Sequence, residues 1–495
     1  MLKRTLRLPS FAMTIVAACA ISACGSLTST PYQRPALDVP TTLPTTGGTA
    51  QVDWLVWWKA FGDPVLDAML QEAASNNQDL ALASARIAEA RATLDQNQAN
   101  FVPTLDFNAN AARRRSSENA GSASPNPASA GTLYSNDRQL GLTASYEIDF
   151  WGKYARADEA ARARLLGQTA ARGTVLTTLH ANVAQAYFTL RALDAQRTLA
   201  EQTLTTRQDN LRLQTRRLQG GVVGELDVRQ AESETASAQA TLLQVQQNRS
   251  NAESTLALLL GRSPSAIVRP DLARGSELGA LYARQAIPAN LPSDVLALRP
   301  DVVSAEQNLM AANADIGQAR AAYFPKLSLT ATVGQQSREL SNLFDPASMF
   351  WNLLANLAQP IFRGGAINAA VAASNARQQQ AVAQYTQTVQ NAFRDVHDAL
   401  NNSAAGQDIA TTTAKRIDAL RNTLRLADLR YKNGYVNYLE VLNAQRDLAQ
   451  AEITLIDVQR NQLNAVVALY KALGGGWDAT AVVSGVAKFQ RVESP

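Results

Sequence analysis

The sequence predicts a mainly α-helical chain with a β-barrel part, organised as one internal duplication around long coiled-coil helices. From Val436 to Leu473, Leu439, Leu442, Ala449, Ile453, Ile456, Leu463, Val467 and Tyr470 recur at alternating steps of three and four, interrupted by Arg446 and Arg460. That period near 3.5 marks a long coiled-coil helix. The run Arg217–Val228 returns as Arg430–Val441, 213 residues later, and stays in register to Leu260-Gly261 and Leu473-Gly474; a repeat of this kind makes the helical hairpin the unit of the chain. Elsewhere, short segments switch to a period of two, the signature of strands with one apolar face.

The amino terminus is a leader. Lys3, Arg4 and Arg7 precede an apolar run from Phe11 to Ile21, and small residues lead up to a cysteine, the layout of an export signal over residues 1–23. Ile21-Ser22-Ala23-Cys24-Gly25 resembles a bacterial lipobox, which implies cleavage before Cys24 and a covalent lipid there. Val16-Ala17-Ala18-Cys19 is the competing site, and an unmodified cysteine after an ordinary signal peptide is the plain alternative; Gly25 and Ser26 favour Cys24 because they open a polar linker. The chain carries +4 overall, but the three leader cations leave 43 basic against 42 acidic residues beyond residue 23, so charge gives no reason to expect a nucleic-acid partner. Cys19 and Cys24 are the only cysteines, which leaves no internal disulfide after processing. Charged residues are 18% of the chain, below the usual quarter, as suits long helices packed through small side chains.

Residues 24–62 read as an acylated tether, rich in Thr, Pro and Gly to residue 52, followed by an aromatic cluster (Trp54, Trp57, Trp58, Phe61) expected to pin the arm to the body. Repeat 1 spans 63–261. Asp63-Pro64 opens its first helix as N-cap and first helical residue; the helix is expected to run to Asn100, with a break near Asn76-Asn77. It corresponds to 292–322 in the second half, 222 residues on. Phe101 to Asn110 and Leu140 to Phe150 alternate as strands of about ten residues, the length of a membrane-spanning β-strand, separated by a polar loop from Arg113 to Asp137. A helix from Tyr154 to Leu218 follows, on the order of 100 Å long at 1.5 Å per residue. Gly220-Gly221 then reverses the chain into a return helix. Residues 262–291 link the repeats. Repeat 2, 292–474, has a strand from Leu327 to Val333, a less regular one from Met349 to Ile361, a helix from Ala366 to Lys432, the turn Asn433-Gly434 and a return helix. Residues 475–495 form the segment corresponding to the linker, and both segments are expected near the middle of the helical section.

No run after the leader reaches eighteen consecutive apolar residues, so only strands are available to cross a membrane. Four strands cannot close a barrel, and an open edge is not tolerated in hydrocarbon; several chains must therefore join. A dimer would give eight strands and a trimer twelve.

Pro31-Tyr32-Gln33-Arg34-Pro35, Leu298-Arg299-Pro300-Asp301, the run Gln318 to Thr330, Pro360-Ile361-Phe362-Arg363-Gly364-Gly365 and Tyr470-Lys471-Ala472-Leu473-Gly474-Gly475-Gly476-Trp477, together with the lipobox and the double repeat, resemble the outer-membrane factor family. These are the TolC-like exit ducts of tripartite efflux pumps, and the likeness is greatest to the lipoprotein branch that serves resistance-nodulation-division multidrug pumps. The resemblance implies a homotrimer: a twelve-stranded outer-membrane barrel continuing into a periplasmic helical tunnel. It also implies a periplasmic adaptor, an inner-membrane transporter and a passive conduit for drugs or other small molecules, with protein secretion or metal-ion efflux as the alternative cargo. Carried over residue by residue, the periplasmic gate falls on Tyr431, Gly434, Leu439, Glu440 and Asn443. Asn443 stands where the family often has aspartate. Glu225 and Asp227 in the first repeat would add acidity at the mouth, and Gly220, Gly221, Asn433 and Gly434 form the turns that would meet the adaptor. The plain alternatives are a solvated helix start for the acids and coiled-coil seam for Leu439.

An enzyme is not expected. His180 and His397 sit far apart in long helices, and the sequence shows no Cys/His cluster or phosphate-cradling motif. A periplasmic scaffolding lipoprotein is the other non-enzymatic class, and the alternating strands argue against it.

Overall fold

The computed structural model describes residues 31–40, 53–115, 117, 134–284 and 293–478; the leader, Cys24 and Cys19, most of the tether, the tip of the first strand loop, part of the inter-repeat linker and the tail from 479 lie outside the described residues. A 3-10 helix over Trp54–Phe61 comes first. Helices α1 (Pro64–Asn76) and α2 (Gln78–Gln98) follow, then strands β1 (Thr104–Arg115) and β2 (Tyr134–Ile148). Helix α3 (Lys153–Gln219) pairs in sequence with its return helix α4 (Glu225–Leu259). Short helices α5 (Pro264–Val268) and α6 (Leu278–Arg284) lead to α7 (Pro300–Ala321), β3 (Lys326–Ser337), β4 (Met349–Ala358), α8 (Ala366–Lys432) and α9 (Tyr438–Ala472).

The chain divides into two compact units. One holds Ala88–Leu165 and Gln307–Ala383 and contains the sheet. Its four strands are antiparallel in the order β1-β2-β3-β4. The register places Phe107, Leu142, Val333 and Trp351 in one row and Leu105, Ala144, Ala331 and Leu353 in another. Directly paired residues share a face, so the apolar side chains of the strands collect mostly on one side, with Phe350 and Leu354 of the less regular β4 as exceptions on the other. The alternate rows, such as Asp106, Thr143, Thr332 and Asn352, are polar, and Thr143 bonds to both Asn108 and Thr332 at 3.4 Å. An apolar face against lipid and a polar face against water is what a membrane barrel wall requires. Below the sheet's ends, Ala160 and Ala163 of α3 pack against Ala311 and Ala314 of α7, small residues that bring the helices close.

The second unit holds Ala36–Ile87, Leu166–Glu306 and Gln384 onward. Its core is aromatic and aliphatic: Trp57, Phe61, Tyr187, Phe188, Leu256, Leu260, Leu281 and Tyr470 are all but inaccessible to solvent. Trp57 stacks on Tyr470 with ring centroids 5.1 Å apart, and Phe61 meets Phe188 at 5.0 Å. Asp63 caps α1 through Val65 and Leu66, as the Asp-Pro pair predicts, and also accepts from Tyr187 Oη at 2.6 Å and Ser276 N at 2.9 Å. One buried carboxylate thus ties the first helix, the middle of α3 and the inter-repeat segment together. The break expected near Asn76-Asn77 falls on Asn77, whose extended backbone separates α1 from α2. Its Oδ1 accepts from Asp79 N at 2.9 Å and its Nδ2 donates to Leu259 O at 3.1 Å.

Several boundaries differ from the sequence reading. The aromatic cluster of residues 54–61 packs into the body as expected, with Trp57, Trp58 and Phe61 in the core, although the sequence reading grouped these residues with the tether. Strand β1 starts at Thr104 instead of Phe101, which closes a 3-10 turn, and β1 and β2 continue through Arg115 and Tyr134 into the stretch expected as loop. Arg113 and Arg115 lie over the Tyr134 ring at 5.3 and 5.9 Å; backbone pairing carries the strands on after the apolar alternation has ended. β4 stops at Ala358, not Ile361. The helix expected from 292 is a 3-10 turn, Ser293–Leu298, followed by α7, since Pro300 cannot continue a helix from its predecessor. Of the 3.5-period seam, Leu442, Leu463, Val467 and Tyr470 are buried, but Leu439, in the first turn of α9, is 43% exposed among the described residues.

Candidate site at the helical turns

Both hairpins reverse through the same hydrogen-bonded turn. In the first, Gly220 N donates to Arg216 O, Gly221 N to Leu218 O and Val222 N to Arg217 O; in the second, Asn433 N donates to Leu429 O, Gly434 N to Tyr431 O and Tyr435 N to Arg430 O. Gly221 and Gly434 take positive φ of 72° and 75°, which a residue without Cβ adopts at little cost. Gly220, the first of the glycine pair that reverses the chain, stays out of that region.

The side chains around the two turns differ. Tyr431 Oη receives Arg217 Nη1 at 2.8 Å and Gln214 Nε2 at 3.1 Å, the Arg217 guanidinium lies 5.3 Å from its ring centroid, and Tyr438 sits against it at 5.5 Å. Tyr431 therefore joins the two hairpins. Burial raises the Tyr438 hydroxyl above its ordinary pKa. Glu440 takes Arg430 at 3.0 Å, and its backbone N–H donates to the Asn437 side chain, the N-cap of α9. Glu225 pairs with Arg229 at 2.9 Å, and Arg229 also holds Glu232 at 2.9 Å. Gly224 at the same cap position offers no side-chain bond. Asn443 is exposed on α9. Asp227 is half-buried in the first turn of α4.

The structure brings Tyr431 of the second turn onto Arg217 and Gln214 of the first, contacts that no spacing in the sequence announces. It also shows a residue the sequence reading passed over: Leu226, the repeat partner of Leu439, is 69% exposed. The 213-residue alignment contained that signal. Farther along, Glu234 bonds Arg446, which holds its carboxyl below the usual range, while buried Arg207 reaches Gln445; Arg207, Glu234 and Arg446 line a cavity of about 510 Å³ among α3, α4 and α9. Among the described residues no group of three or more His, Cys, Asp or Glu is placed to hold a metal ion, and no helix is long and apolar enough to cross a membrane.

A four-stranded wall with one lipid-compatible face, combined in one chain with two matched coiled-coil hairpins, defines the class of membrane β-barrel ducts with a helical section. The family model described as "Outer membrane efflux protein" matches residues 69–262 and 291–475. The chain is 34% identical over 463 residues to the cation efflux system protein CusC of Escherichia coli O6:H1, covering 92% of this chain and 97% of that one. It is 36% identical over 420 residues to the solvent efflux pump outer membrane protein SrpC of Pseudomonas putida, covering 85% and 87%. Among solved structures, CusC superposes with a TM-score of 0.79 at 33% identity, covering 90% of this chain and 99% of that one. The open state of the Neisseria gonorrhoeae MtrE outer membrane channel gives 0.76 at 32%, covering 90% and 98%. The chain belongs to the outer membrane efflux protein family, and it is an outer-membrane channel protein of an efflux system.

Proposed function

We propose that three copies close a twelve-stranded barrel and that the trimer is a passive exit duct for drugs or other small organic molecules, without chemistry of its own. An inner-membrane transporter would supply the energy, and a periplasmic adaptor would engage the turns at Gly220, Gly221, Asn433 and Gly434. The observation that carries the reading is the half-formed wall: an apolar face across four strands, with β1 and β4 each paired on one side only among the described residues. Unpaired edges are not stable in a bilayer, so copies of the same sheet must supply the missing neighbours. Lipidation at Cys24 would anchor the chain to the inner face of the same membrane, and SilC, a relative at 33% identity, is described as a probable outer membrane lipoprotein.

The gate reading assigns Leu439 to an apolar constriction, with Glu440, Asn443, Glu225 and Asp227 setting the charge of the mouth and Tyr431 holding the closed arrangement. Exposure of Leu439 beside a hydrogen-bonded Tyr431 supports it. Apolar rings gate by excluding water, and the adaptor would bias a closed-to-open equilibrium. In planar bilayers, Leu439→Ala and Asn443→Asp are each expected to raise single-channel conductance; unchanged currents in both would remove these residues from the gate. A second reading, metal cations as cargo, is favoured by the likeness to CusC. Deleting the gene and measuring tolerance to organic solvents and to metal salts separates the two.

A further inference from the structure

Within the sheet-bearing unit, a cavity of about 520 Å³ opens where helices meet strands, lined by Lys153, Arg164, Asp315, Lys326, Ser374 and Arg377 among others. Four cations face one carboxylate. Arg164 pairs with Asp315, and Lys153 pairs with Glu147 of β2 at 3.0 Å. Lys326 and Arg377 make no direct ion pair among the described residues, acting on Glu147 and Asp315 only through space, and both are exposed. Burial holds the Asp315 carboxyl above its usual range against the pull of Arg164 and Arg377.

The side of the wall on which this cavity lies follows from the register. Leu327 pairs with Ile148 and Leu357 on the apolar face, so Lys326 and Ser328 point to the other side, and Ser328 pairs with Glu147. Two cavity residues, Lys326 itself and Lys153 through its bond to Glu147, therefore belong to the polar face. A lipid headgroup would have to approach from the apolar side. A solute in the water-filled passage meets the cations directly.

We propose that this junction is an anion-binding subsite of the duct, which takes a carboxylate or phosphate group of a passing solute between Lys326 and Arg377, and which, repeated in each copy, favours anions at this level of the passage. Lysine acts there as a point charge and arginine as a planar fork suited to oxyanions. The proposal rests on the polar face lining the passage.

The test uses the full-length protein in planar bilayers, with inorganic pyrophosphate as the probe and its lipid-free state as the arm that separates a soluble anion from a headgroup. Wild-type current is expected to be blocked by pyrophosphate. In Lys326→Gln/Arg377→Gln the block weakens, and the anion-to-cation permeability ratio falls about twofold at low salt, the scale of two exposed unit charges acting through water. Asp315→Asn, which removes the carboxylate, is expected to do the opposite and strengthen the block. Heat-modifiable gel migration shows that each variant assembles; should the double variant fail to assemble, Lys326→Gln and Asp315→Asn alone give the two opposed shifts. Conducting variants with block and permeability ratio equal to wild type overturn the subsite while leaving the duct intact. A wild-type protein that never conducts overturns the duct and the subsite together.

Discussion

The root and the tip of the helical hairpins lie in the same unit and are held by opposite means. At the root, Trp57, Phe61, Tyr187, Phe188, Leu256 and Tyr470 interlock with no solvent access, and stability there is spread over area and packing. At the tip, Val222, Leu226, Tyr435 and Leu439 stand exposed, and the hairpins meet through the Tyr431 hydroxyl, its two hydrogen bonds and a small cluster around Tyr438 and Leu442. A packed root resists motion in any direction. A tip held by a few polar bonds moves when those bonds are exchanged, which is the division a gated tube needs.

That contrast is sharpened first at the root. Phe61→Ala removes a fully buried ring and is expected to lower thermal stability by about 3–5 kcal/mol, read by the temperature of heat-modified gel migration, with single-channel conductance unchanged in molecules that still assemble. Next comes His180, packed against Trp58 at 4.7 Å and lowered by burial to a pKa of about 4. A folded-state value below the ordinary 6.5 favours the neutral ring, so this stabilisation is complete above about pH 6.5 and is lost as pH falls toward 4. Wild type is expected to lose roughly 2 kcal/mol between pH 6.5 and 5. His180→Gln should flatten that part of the pH profile.

At the tip the expected effects turn from stability to current. Tyr431→Phe removes the acceptor for Arg217 and Gln214, about 1–2 kcal/mol, and should shift the closed-to-open ratio by around tenfold while leaving thermal stability nearly unchanged. If instead stability falls and current stays level, the root and tip are not distinct in the way described. The smallest effect is at the caps: Asn437→Ala costs about 1 kcal/mol of local helix stability, and Gly224→Ser adds a bond the first repeat lacks. Hydrogen exchange at the first turns of α9 and α4 should move in opposite directions.

Much of this architecture was legible because its signals are local. The second long helix runs over the predicted residues, Ala366–Lys432, and the first differs by one residue at each end; glycine turns and Asn77 mark discontinuities that need no tertiary knowledge. The strand ends were not legible, since Arg113–Arg115 pair with polar residues and show no apolar alternation. Nor was the tip network. Arg217 and Tyr431 are 214 positions apart, and neither residue type is unusual on a solvated helix, so only the folded chain shows that they meet. The cationic cavity was hidden for the same reason, assembled from α3, α7, β3 and α8.

The repeats also agree in length: α3 and α8 have 67 residues each, α4 and α9 have 35 each. Removing one heptad from both arms of a single hairpin would shorten it by about 10 Å and leave its bend short of its sibling's. Evolution can therefore lengthen or shorten this protein's reach only by editing both copies in step, so any relative of different span should carry the same insertion twice, 213 residues apart in this chain's numbering or close to it.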